Sequence, residues 1–568
     1  MDSNSPTGSG IEDFKKLREK EYAYVDKTAL IKRFLENPCA VALFTRPRRF
    51  GKTLAMSMVR HFFEIGTDPA LFRGLEIMDD ESIVEAHMGK YPVAAISLKD
   101  TQGSSMKMAR GNLAFAIRAE ASRLDYLLDS SLLNRYDKDE FERLISIQGN
   151  DDRLHESLAI LTQLLNKHFG KPAILLIDEY DVPLDKAWQH EYYDEMLIFI
   201  RSMFSLALKG NSSLEFAMLT GCLRVSKESI FTEVNNFSPY SIGHPLYSDS
   251  FGFTEAETSE VLASRGLSNR MDDVREWYDG YCFAGTQIYC PWDVVKFCDD
   301  AKINQNAPPQ PYWMNTGGNA IIKQLANMAG QSAKEEIGTL VDGGSIVKRI
   351  NDQLSYSDLE QTIDNIWSFM YAAGYLTAIN GLKDGRHELA IPNESVRRIF
   401  VEQIGEWFKS RVAANTTALS SLRHAFSEGD SNAAQTAMCE LLIDFISARD
   451  YSAKENKKES FYHGLLLGAL ADMEGWSVSS NEESGYGFWD ISAKNNKNTR
   501  QAFIIEAKYS DSLASLKSAS DSAIEQIEAR KYWKKLAKDG ARDIWLYGAA
   551  FFKKDCCISS KHMSLEDS

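Results

Sequence analysis

A chain of 568 residues is too long for one hydrophobic core, and its length predicts about three or four domains. Its composition is ordinary for globular proteins, with 44% hydrophobic and 25% charged residues, and its apolar runs are far shorter than a membrane span. The net charge of −16 argues against an indiscriminate nucleic-acid binder. The first ten residues lack an apolar signal segment. We therefore expect a cytoplasmic protein without a membrane partner.

The eight cysteines point to the same compartment. They are scattered along the chain, apart from the adjacent Cys556 and Cys557, and they form no CxxC pair and no cluster with zinc spacing. We expect free thiols in a reducing environment.

Strands alternate with helices over residues 11–248, after a polar leader at 1–10 that we expect to be disordered. Short apolar runs predict the strands, and periodic apolar positions predict the helices. The predicted strands are 40–45, 92–98, 173–177 and 214–220, and the predicted helices are 52–64 and most of 105–168. This alternation predicts a doubly wound α/β domain with a parallel sheet.

The remainder of the chain is predicted to hold two helical regions and a smaller α/β domain. A helical lid spans 249–335, with Thr254 as the cap of its first helix, and a helical middle domain spans 336–450. The C-terminal α/β domain spans 451–553, and a loose tail covers 554–568. The elements predicted for this last domain are helices 459–473 and 521–537 and strands 476–480, 488–493, 501–507 and 544–552.

The segment after the first predicted strand ends in Gly51-Lys52-Thr53, which is the end of a P-loop. The N–H groups at a helix N-terminus attract phosphate oxygens, and Gly51 lets the backbone approach them closely. Lys52 can reach the β- and γ-phosphates of ATP, and the Thr53 hydroxyl can hold Mg²⁺. The segment therefore predicts an ATP site that uses Mg²⁺.

The same loop departs from the standard P-loop pattern, because Arg46 occupies the place of the first glycine and Pro47 stiffens the chain. We include Arg46, Arg49 and Phe50 with the candidate nucleotide-binding residues. The loop arginines can contact phosphates or another subunit, and a solvated basic loop is an equally good interpretation.

An apolar strand that ends in Asp178-Glu179 has the Walker B pattern. Asp178 is expected to hold Mg²⁺ through water, and Glu179 to polarise the attacking water. The following strand ends near Thr220 and is followed by Arg224, and both are candidates to sense the γ-phosphate. A buried strand with surface acids is the alternative interpretation of the Asp-Glu pair.

The C-terminal segment carries Asp490 on one predicted strand and Glu506-x-Lys508 on the next. Strand alternation puts Glu506 and Lys508 on one face, where Asp490 can join them. Two converging carboxylates suit Mg²⁺ or Mn²⁺, and Lys508 would position the attacking water and stabilise phosphate charge. Glu459 is a further candidate ligand, and Gln526 could orient phosphate or water. A solvated sheet edge is the alternative.

Several motifs carry a family resemblance. They are Tyr24 to Thr28, Arg46 to Thr53, Ile177 to Asp181, Arg224 to Asn236, Trp277 to Tyr281, Tyr289 to Trp292, Tyr312 to Thr316, Gly374 to Thr377 and Ile391 to Asn393. With the C-terminal signature, the chain resembles AAA-ATPase-like proteins that carry a C-terminal PD-(D/E)XK nuclease-superfamily domain. The resemblance implies that the arginine-rich loop is the family's own P-loop variant. The resemblance also implies a basic residue near Phe488, and this chain departs from the family there, because it has Phe488 and Trp489.

These observations support three hypotheses. The first is an ATPase whose nucleotide state regulates a metal-dependent nuclease-like domain that acts on DNA or RNA. The second is an ATP-dependent switch whose nuclease fold is inactive and binds nucleic acid or a protein. The third is an ATP-driven ring of identical subunits, a homo-oligomer, which we rank last because no arginine acting in trans stands out.

Overall fold

A computed structural model describes most of the chain, and it falls into two compact units. The described residues are 7–224, 237–313, 331–351, 354–360, 362–381, 385–412, 416–445, 459–471, 473–480, 483–484, 487–488 and 490–565. One unit is Met1–Trp313 with Lys348–His387, and the other is Met314–Val347 with Glu388–Ser568. None of the helices in the described ranges combines the length and apolar character needed to traverse a lipid bilayer. The motif residues 225–236 and 314–316 and Trp489 lie outside these ranges.

The first unit is built on a five-stranded parallel sheet in the order β2–β3–β4–β1–β5. Its strands are β1 (Val41–Thr45), β2 (Val93–Ser97), β3 (Ala173–Asp178), β4 (Leu214–Gly221) and β5 (Phe237–Tyr240). Every residue of β1 and β3 is buried, as expected of apolar runs in a sheet covered on both faces. The four predicted strands are confirmed. The edge strand β5 escaped prediction because it is short and contains a proline.

Helices connect these strands. They are α1 (Phe14–Glu19), α2 (Ala29–Glu36), α3 (Lys52–Phe63), α4 (Glu81–His87), α5 (Met106–Arg123), α6 (Arg135–Ser146), α7 (Ser157–Phe169), α8 (Val182–Gln189) and α9 (Tyr193–Leu208). The helix predicted at 52–64 is α3, and it starts at the first residue after the loop glycine.

The region expected to be a helical lid holds helices and one β-hairpin. The helices are α10 (Glu255–Ser264), α11 (Met271–Tyr278) and α12 (Pro291–Ile303), and the hairpin joins β6 (Tyr281–Phe283) to β7 (Thr286–Ile288). Thr254 caps α10 in a capping box with Glu257, as predicted. The hairpin was not predicted within this helical region. Its two turn residues, Ala284 and Gly285, both have positive φ, which suits a two-residue hairpin turn.

Aromatic and aliphatic side chains of α10, α11 and α12 form one buried cluster that includes Trp277, Tyr278 and Phe297. Asp293 lies in the first turn of α12 and is only 1% exposed. One of its carboxylate oxygens, Oδ1, has no hydrogen-bond partner. Burial therefore raises the pKa of Asp293 to about 7.

The region expected to be a helical middle domain also contains a small sheet. Its elements are α13 (Gln331–Val341), β8 (Ile346–Arg349), α14 (Ile363–Ala373), β9 (Thr377–Gly381) and β10 (Arg386–Ala390), and the strand order is β8–β10–β9. The prediction of a mostly helical segment did not include these three strands. The domain boundaries predicted at 248, 335 and 450 stay predictions.

The second unit contains a five-stranded sheet in the order β11–β14–β15–β16–β17, in which only β15 and β16 are parallel. Its elements are α15 (Glu394–Val412), α16 (Thr416–Glu428), α17 (Ser431–Phe445), α18 (Glu459–Leu470), β11 (Trp476–Ser480), β12 (Glu483–Ser484), β13 (Gly487–Phe488), β14 (Ile491–Asn495), β15 (Gln501–Tyr509), α19 (Leu516–Arg530), α20 (Trp533–Lys538), β16 (Asp543–Phe552) and β17 (Asp555–Ser564). The helix–strand–strand–helix order predicted from the sequence is confirmed.

Three expectations for this unit need correction. The helix predicted at 521–537 is two helices, because Lys531 adopts a left-handed conformation with φ 56° and ends α19. The strand predicted at 488–493 begins at Ile491, after a separate short hairpin. The tail at 554–568 is not loose, because residues 555–564 form β17 and pair antiparallel with β16. The sequence did not predict this strand because many of its side chains are polar, and backbone hydrogen bonds to β16 stabilise it.

Helices α16 and α17 pack on the β16–β17 end of this sheet. The Tyr547 hydroxyl of β16 donates to the Phe426 carbonyl at 2.8 Å, and the backbone N–H of Ile558 donates to the side chain of Gln435 at 3.1 Å. Gly429, between the two helices, has a φ of 83°, and a Cβ built on it would lie 2.2 Å from the Trp545 ring. A glycine is therefore needed at this position for both its conformation and its size.

Replacing this glycine should destabilise the second unit. We expect Gly429→Ala to lower the free energy of unfolding by about 2–4 kcal/mol, because alanine strains the backbone and overlaps the Trp545 ring. Gly540→Ala is the matched control, because Gly540 also has positive φ, but a Cβ added to it would meet no atom within 4 Å. It should cost only about 1 kcal/mol. Urea denaturation followed by circular dichroism measures both, and equal losses would contradict the proposed overlap.

The buried Asp293 should make stability depend on pH. Its pKa is raised from 3.8 to about 7, so the folded protein holds a proton that the unfolded chain loses. The contribution is fully present below pH 3.8 and is lost as pH rises through 7, by roughly 4 kcal/mol. Asp293→Asn should make the measured slope shallower by this one contribution, whereas Asp272→Asn, at a side chain that is 97% exposed, should leave the slope unchanged. Thermal unfolding between pH 5 and about 8 provides the measurement, and an unchanged slope in Asp293→Asn would contradict the assignment.

Candidate functional site

The loop between β1 and α3 brings a helix N-terminus to the carboxyl edge of the parallel sheet. Gly51 precedes α3 with a φ of 83°, and its carbonyl accepts the first helical hydrogen bond from Ala55 at 2.9 Å. The N–H groups of the first helical turn have no partner within a helix. They are the donors that a P-loop offers to phosphate oxygens.

Lys52 lies inside this loop with only 4% of its surface exposed. Its Nζ donates to the carbonyls of Arg46 at 3.3 Å and Pro47 at 3.2 Å, and it lies 3.3 Å from a carboxylate oxygen of Glu179. Burial lowers the pKa of Lys52, but nearby Cys222 and the acids around it outweigh burial, so that the pKa is raised overall. Lys52 is therefore held as a cation at this position.

Asp178 at the end of β3 completes this group of side chains. The Thr53 hydroxyl donates to one of its carboxylate oxygens at 2.8 Å, and the Thr220 hydroxyl donates to the other. Burial, and then the charge of Glu179, raise the pKa of Asp178. Thr53 and Asp178 are thus adjacent oxygen ligands, the type of ligand that Mg²⁺ prefers. Five side chains predicted from the sequence meet here, namely Lys52, Thr53, Asp178, Glu179 and Thr220.

Glu179 has an unusual backbone. Its φ of 54° lies in the left-handed region, which is rarely occupied by residues other than glycine. Its N–H donates to the Thr220 hydroxyl at 3.3 Å, and its side chain is 18% exposed. Strain of this kind concentrates at functional sites, where surrounding contacts maintain it.

Asp181 belongs to the site but was not among the predicted residues. It is 2% exposed, and its Oδ2 accepts hydrogen bonds from the N–H groups of Cys222 and Leu223, each at 2.9 Å. Its other oxygen has no hydrogen-bond partner. Burial, followed by the charge of Glu179, raises the pKa of Asp181 to about 6. The run of acids that begins at Asp178 was the available sequence signal.

Arg46 is placed differently from its predicted role as a nucleotide contact. Its side chain has no exposed surface, and its guanidinium donates to the carbonyls of Thr45, Tyr240 and Tyr247 at 2.7–2.8 Å. It also lies 5.2 Å from the ring centroid of Phe251. Arg46 therefore ties β1 to β5 and to the chain that follows. In this structure it supports the loop and has no surface to offer a phosphate.

Phe50 and Arg49 also link the loop to the lid region. Phe50 is 1% exposed and packs edge-on against Tyr281, with ring centroids 4.9 Å apart. The Arg49 guanidinium lies 3.8 Å above the ring of Trp292, and its φ is 72°. Phe50 is thus a core anchor, and Arg49 is held by cation–π stacking. Arg224 is half-buried, three residues after β4, and its contact with a phosphate stays a prediction.

The second predicted site lies on β14 and β15. Glu506 on β15 is 4% exposed, and its Oε1 accepts a hydrogen bond from Gln526 of α19. Its Oε2 is buried without a hydrogen-bond partner. Asp490, immediately before β14, accepts a hydrogen bond from the N–H of Ala507 at 2.8 Å. Burial, and then the charge of Asp490, raise the pKa of Glu506 to about 9.

Lys508 and Glu459 flank this carboxylate pair. The Lys508 ammonium lies 4.0 Å from Glu506 and 3.8 Å from Glu459, which begins α18. Partial loss of solvent raises the pKa of Glu459, although 48% of its side chain stays exposed. The Nε2 atom of His463 lies 2.9 Å from the Ser480 hydroxyl and 3.1 Å from the Asp490 carbonyl, so this histidine of α18 contacts the main chain of a candidate ligand.

Within the described residues, no group of three or more His, Cys, Asp or Glu side chains is arranged to hold a metal ion. The residues present nevertheless fit a divalent cation in one respect. An unpartnered carboxylate oxygen on Glu506 and the adjacent Asp490 leave excess negative charge in a buried place. A cation held by oxygen ligands would relieve that charge.

Comparison with known proteins finds one family over each of the two regions. Residues 8–231 match the family described as a predicted AAA-ATPase, and residues 457–561 match the family described as the PD-(D/E)XK nuclease superfamily. A relative in Azotobacter chroococcum mcd 1, an uncharacterized protein in the vnfD 5'region, is 29% identical over 398 residues. The match covers 68% of this chain and 67% of the relative. The chain thus carries an AAA-ATPase-like domain followed by a PD-(D/E)XK nuclease-superfamily domain, the combination that its motifs resemble.

Proposed function

We propose that the protein binds and hydrolyses ATP, and that its nucleotide state regulates a metal-dependent nuclease domain that acts on DNA or RNA. The observation that carries the first half is the buried Lys52 ammonium beside Glu179, next to the contact between Thr53 and Asp178. The second half rests on the buried Glu506, whose neighbours are Asp490 and Lys508. A cytoplasmic location is part of the proposal.

ATP and Mg²⁺ would bind to groups that form hydrogen bonds and an ion pair with one another in this structure. Lys52 would exchange the carbonyls of Arg46 and Pro47 for the β- and γ-phosphates, which are stronger acceptors for an ammonium. Thr53 and Asp178 would hold Mg²⁺, which neutralises phosphate charge.

The remaining residues would position the reaction. Glu179 would accept the proton of the attacking water, and its fixed backbone would direct its carboxylate. Thr220 would orient Asp178 through their hydrogen bond. We assign Arg46 and Phe50 to support of the loop. We keep Arg49 and Arg224 as candidate phosphate contacts, and Arg49 would first have to leave Trp292.

At the second site, Asp490 and Glu506 would hold Mg²⁺ or Mn²⁺, with Glu459 as a further ligand. Such a cation supplies Lewis acidity for phosphodiester hydrolysis. Lys508 would hold the attacking water and stabilise charge on the phosphate. Gln526, through its hydrogen bond, would keep the Glu506 carboxylate aimed at the cation.

A second candidate function is an ATP-dependent switch whose nuclease fold binds a partner without cleaving it. The raised pKa of Glu506, about 9, favours this alternative, because a proton can relieve the buried charge in place of a cation. The family resemblance implies a basic residue near Phe488, and its absence here, which would remove a phosphate contact, points the same way.

The ATPase assignment is tested by separating binding from hydrolysis. Glu179→Gln should keep ATP affinity and lower kcat by about 10²–10⁴, because the amide cannot accept a proton. Lys52→Ala should weaken ATP binding about 10-fold or more. Phosphate release and calorimetric titration with ATP measure the two effects. The exposed Glu195→Gln and Lys209→Ala are controls of matched charge, and a loss in them equal to that in the site variants would refute the assignment.

The nuclease assignment is tested with labelled DNA and RNA in Mn²⁺ or Mg²⁺, with and without ATP. Wild type should cleave, Glu506→Gln and Lys508→Ala should lose about 100-fold or more, and Lys52→Ala should lose the effect of ATP. Glu525→Gln, at an exposed acid beside Gln526, is the matched control.

Two outcomes would contradict the nuclease proposal. Cleavage by Glu506→Gln at the wild-type rate would place the activity elsewhere. A wild-type protein that hydrolyses ATP and cleaves none of the substrates would favour the switch.

A further inference from the structure

Two cysteines that are distant in sequence touch within the second unit. Cys439 lies on α17 and Cys556 on β17, 117 residues further along the chain, and their sulfur atoms are 3.4 Å apart. Both are reduced thiols in this structure. A disulfide requires sulfurs about 2.05 Å apart, so a small side-chain movement would bring the two atoms to bonding distance.

The surrounding contacts keep the two thiols facing each other. The side chain of Gln435, one helical turn before Cys439, accepts a hydrogen bond from the backbone of Ile558, two residues after Cys556. The Cys556 thiol lies 3.6 Å from the Gln435 carbonyl. Gln435 thus attaches helix α17 to the outer strand of the sheet one helical turn before the sulfur contact.

The two thiols differ in a way that suits stepwise oxidation. Cys439 is half-buried, and its hydrogen bond with Cys556 lowers the pKa of Cys439 to about 7. Cys556 is 4% exposed, and its hydrogen bond with Cys439 raises its pKa. A thiolate attacks oxidants, and a protected thiol nearby can resolve the product.

We propose that Cys439 and Cys556 form a peroxide-sensitive dithiol, whose oxidation to a disulfide ties α17 to β17. The Cys439 thiolate would attack one oxygen of hydrogen peroxide, break the O–O bond, and release hydroxide, which becomes water on protonation. The resulting sulfenic acid would be attacked by the Cys556 thiol, with loss of a second water and formation of the S–S bond. Peroxide is reduced, and the two thiols are oxidised by two electrons.

This site is separate from the proposed ATPase and nuclease chemistry. The cross-link would restrict the movement of α17, because it joins this helix to the sheet that carries Glu506 and Lys508. Closing a loop of this length restricts the unfolded chain, so the oxidised unit should be harder to unfold. A thiol reductant would reverse the change.

The test treats full-length protein with hydrogen peroxide, blocks remaining thiols with iodoacetamide, and maps peptides without reduction. We expect a cross-linked peptide pair that contains Cys439 and Cys556 and disappears with dithiothreitol. The thermal midpoint of the second unit should rise by about 5 °C on oxidation and return on reduction.

Cys557→Ser provides the matched control. Adjacent strand residues face opposite sides of a sheet, so Cys557 should not reach Cys439, and its replacement should leave the cross-link intact. Cys439→Ser should abolish the cross-link. The wild-type map decides the proposal without relying on any variant, because recovery of Cys439 as sulfinic acid, or of both thiols in alkylated form, would overturn it.

Discussion

The arrangement of the candidate nucleotide site depends on one constraint, the burial of the Lys52 ammonium, since only 4% of this residue is exposed. A buried cation is costly unless nearby dipoles and charges replace the water it loses. Two carbonyls of its own loop and the Glu179 carboxylate do so. These groups come from β1 and β3, with β4 between them, and they meet because parallel strands end at the same edge of a sheet.

A second buried cation explains why this loop departs from the glycine-rich pattern. Arg46 donates to carbonyls on β1, on β5 and in the chain beyond β5, and it has no exposed surface. Its side chain thus supports the loop from the interior while the main chain of the same residue accepts a hydrogen bond from Lys52. The side chain of Arg46 thereby anchors the loop, and its carbonyl binds Lys52. A glycine at this position could supply only the carbonyl.

The C-terminal site also buries an ionisable group, but there the group is an acid and the charge is negative. Glu506 is buried beside Asp490, and one of its oxygens has no hydrogen-bond partner. Either a proton or a divalent cation can relieve this charge, and the two forms correspond to the two candidate functions of the domain. The balance between them depends on pH and on the metal available, since protons and cations compete for the same oxygens.

The sequence by itself determined the elements and the groups that carry chemistry. Apolar runs located four strands of the first sheet, and strand alternation put Glu506 and Lys508 on one face, because these patterns arise from local periodicity. Only the tertiary structure decided that the Arg46 side chain points into the core, that Asp181 joins the site, that residues 555–564 form a strand, and that Cys439 meets Cys556. Each of these depends on a partner far away in the chain, and local periodicity carries no information about such partners.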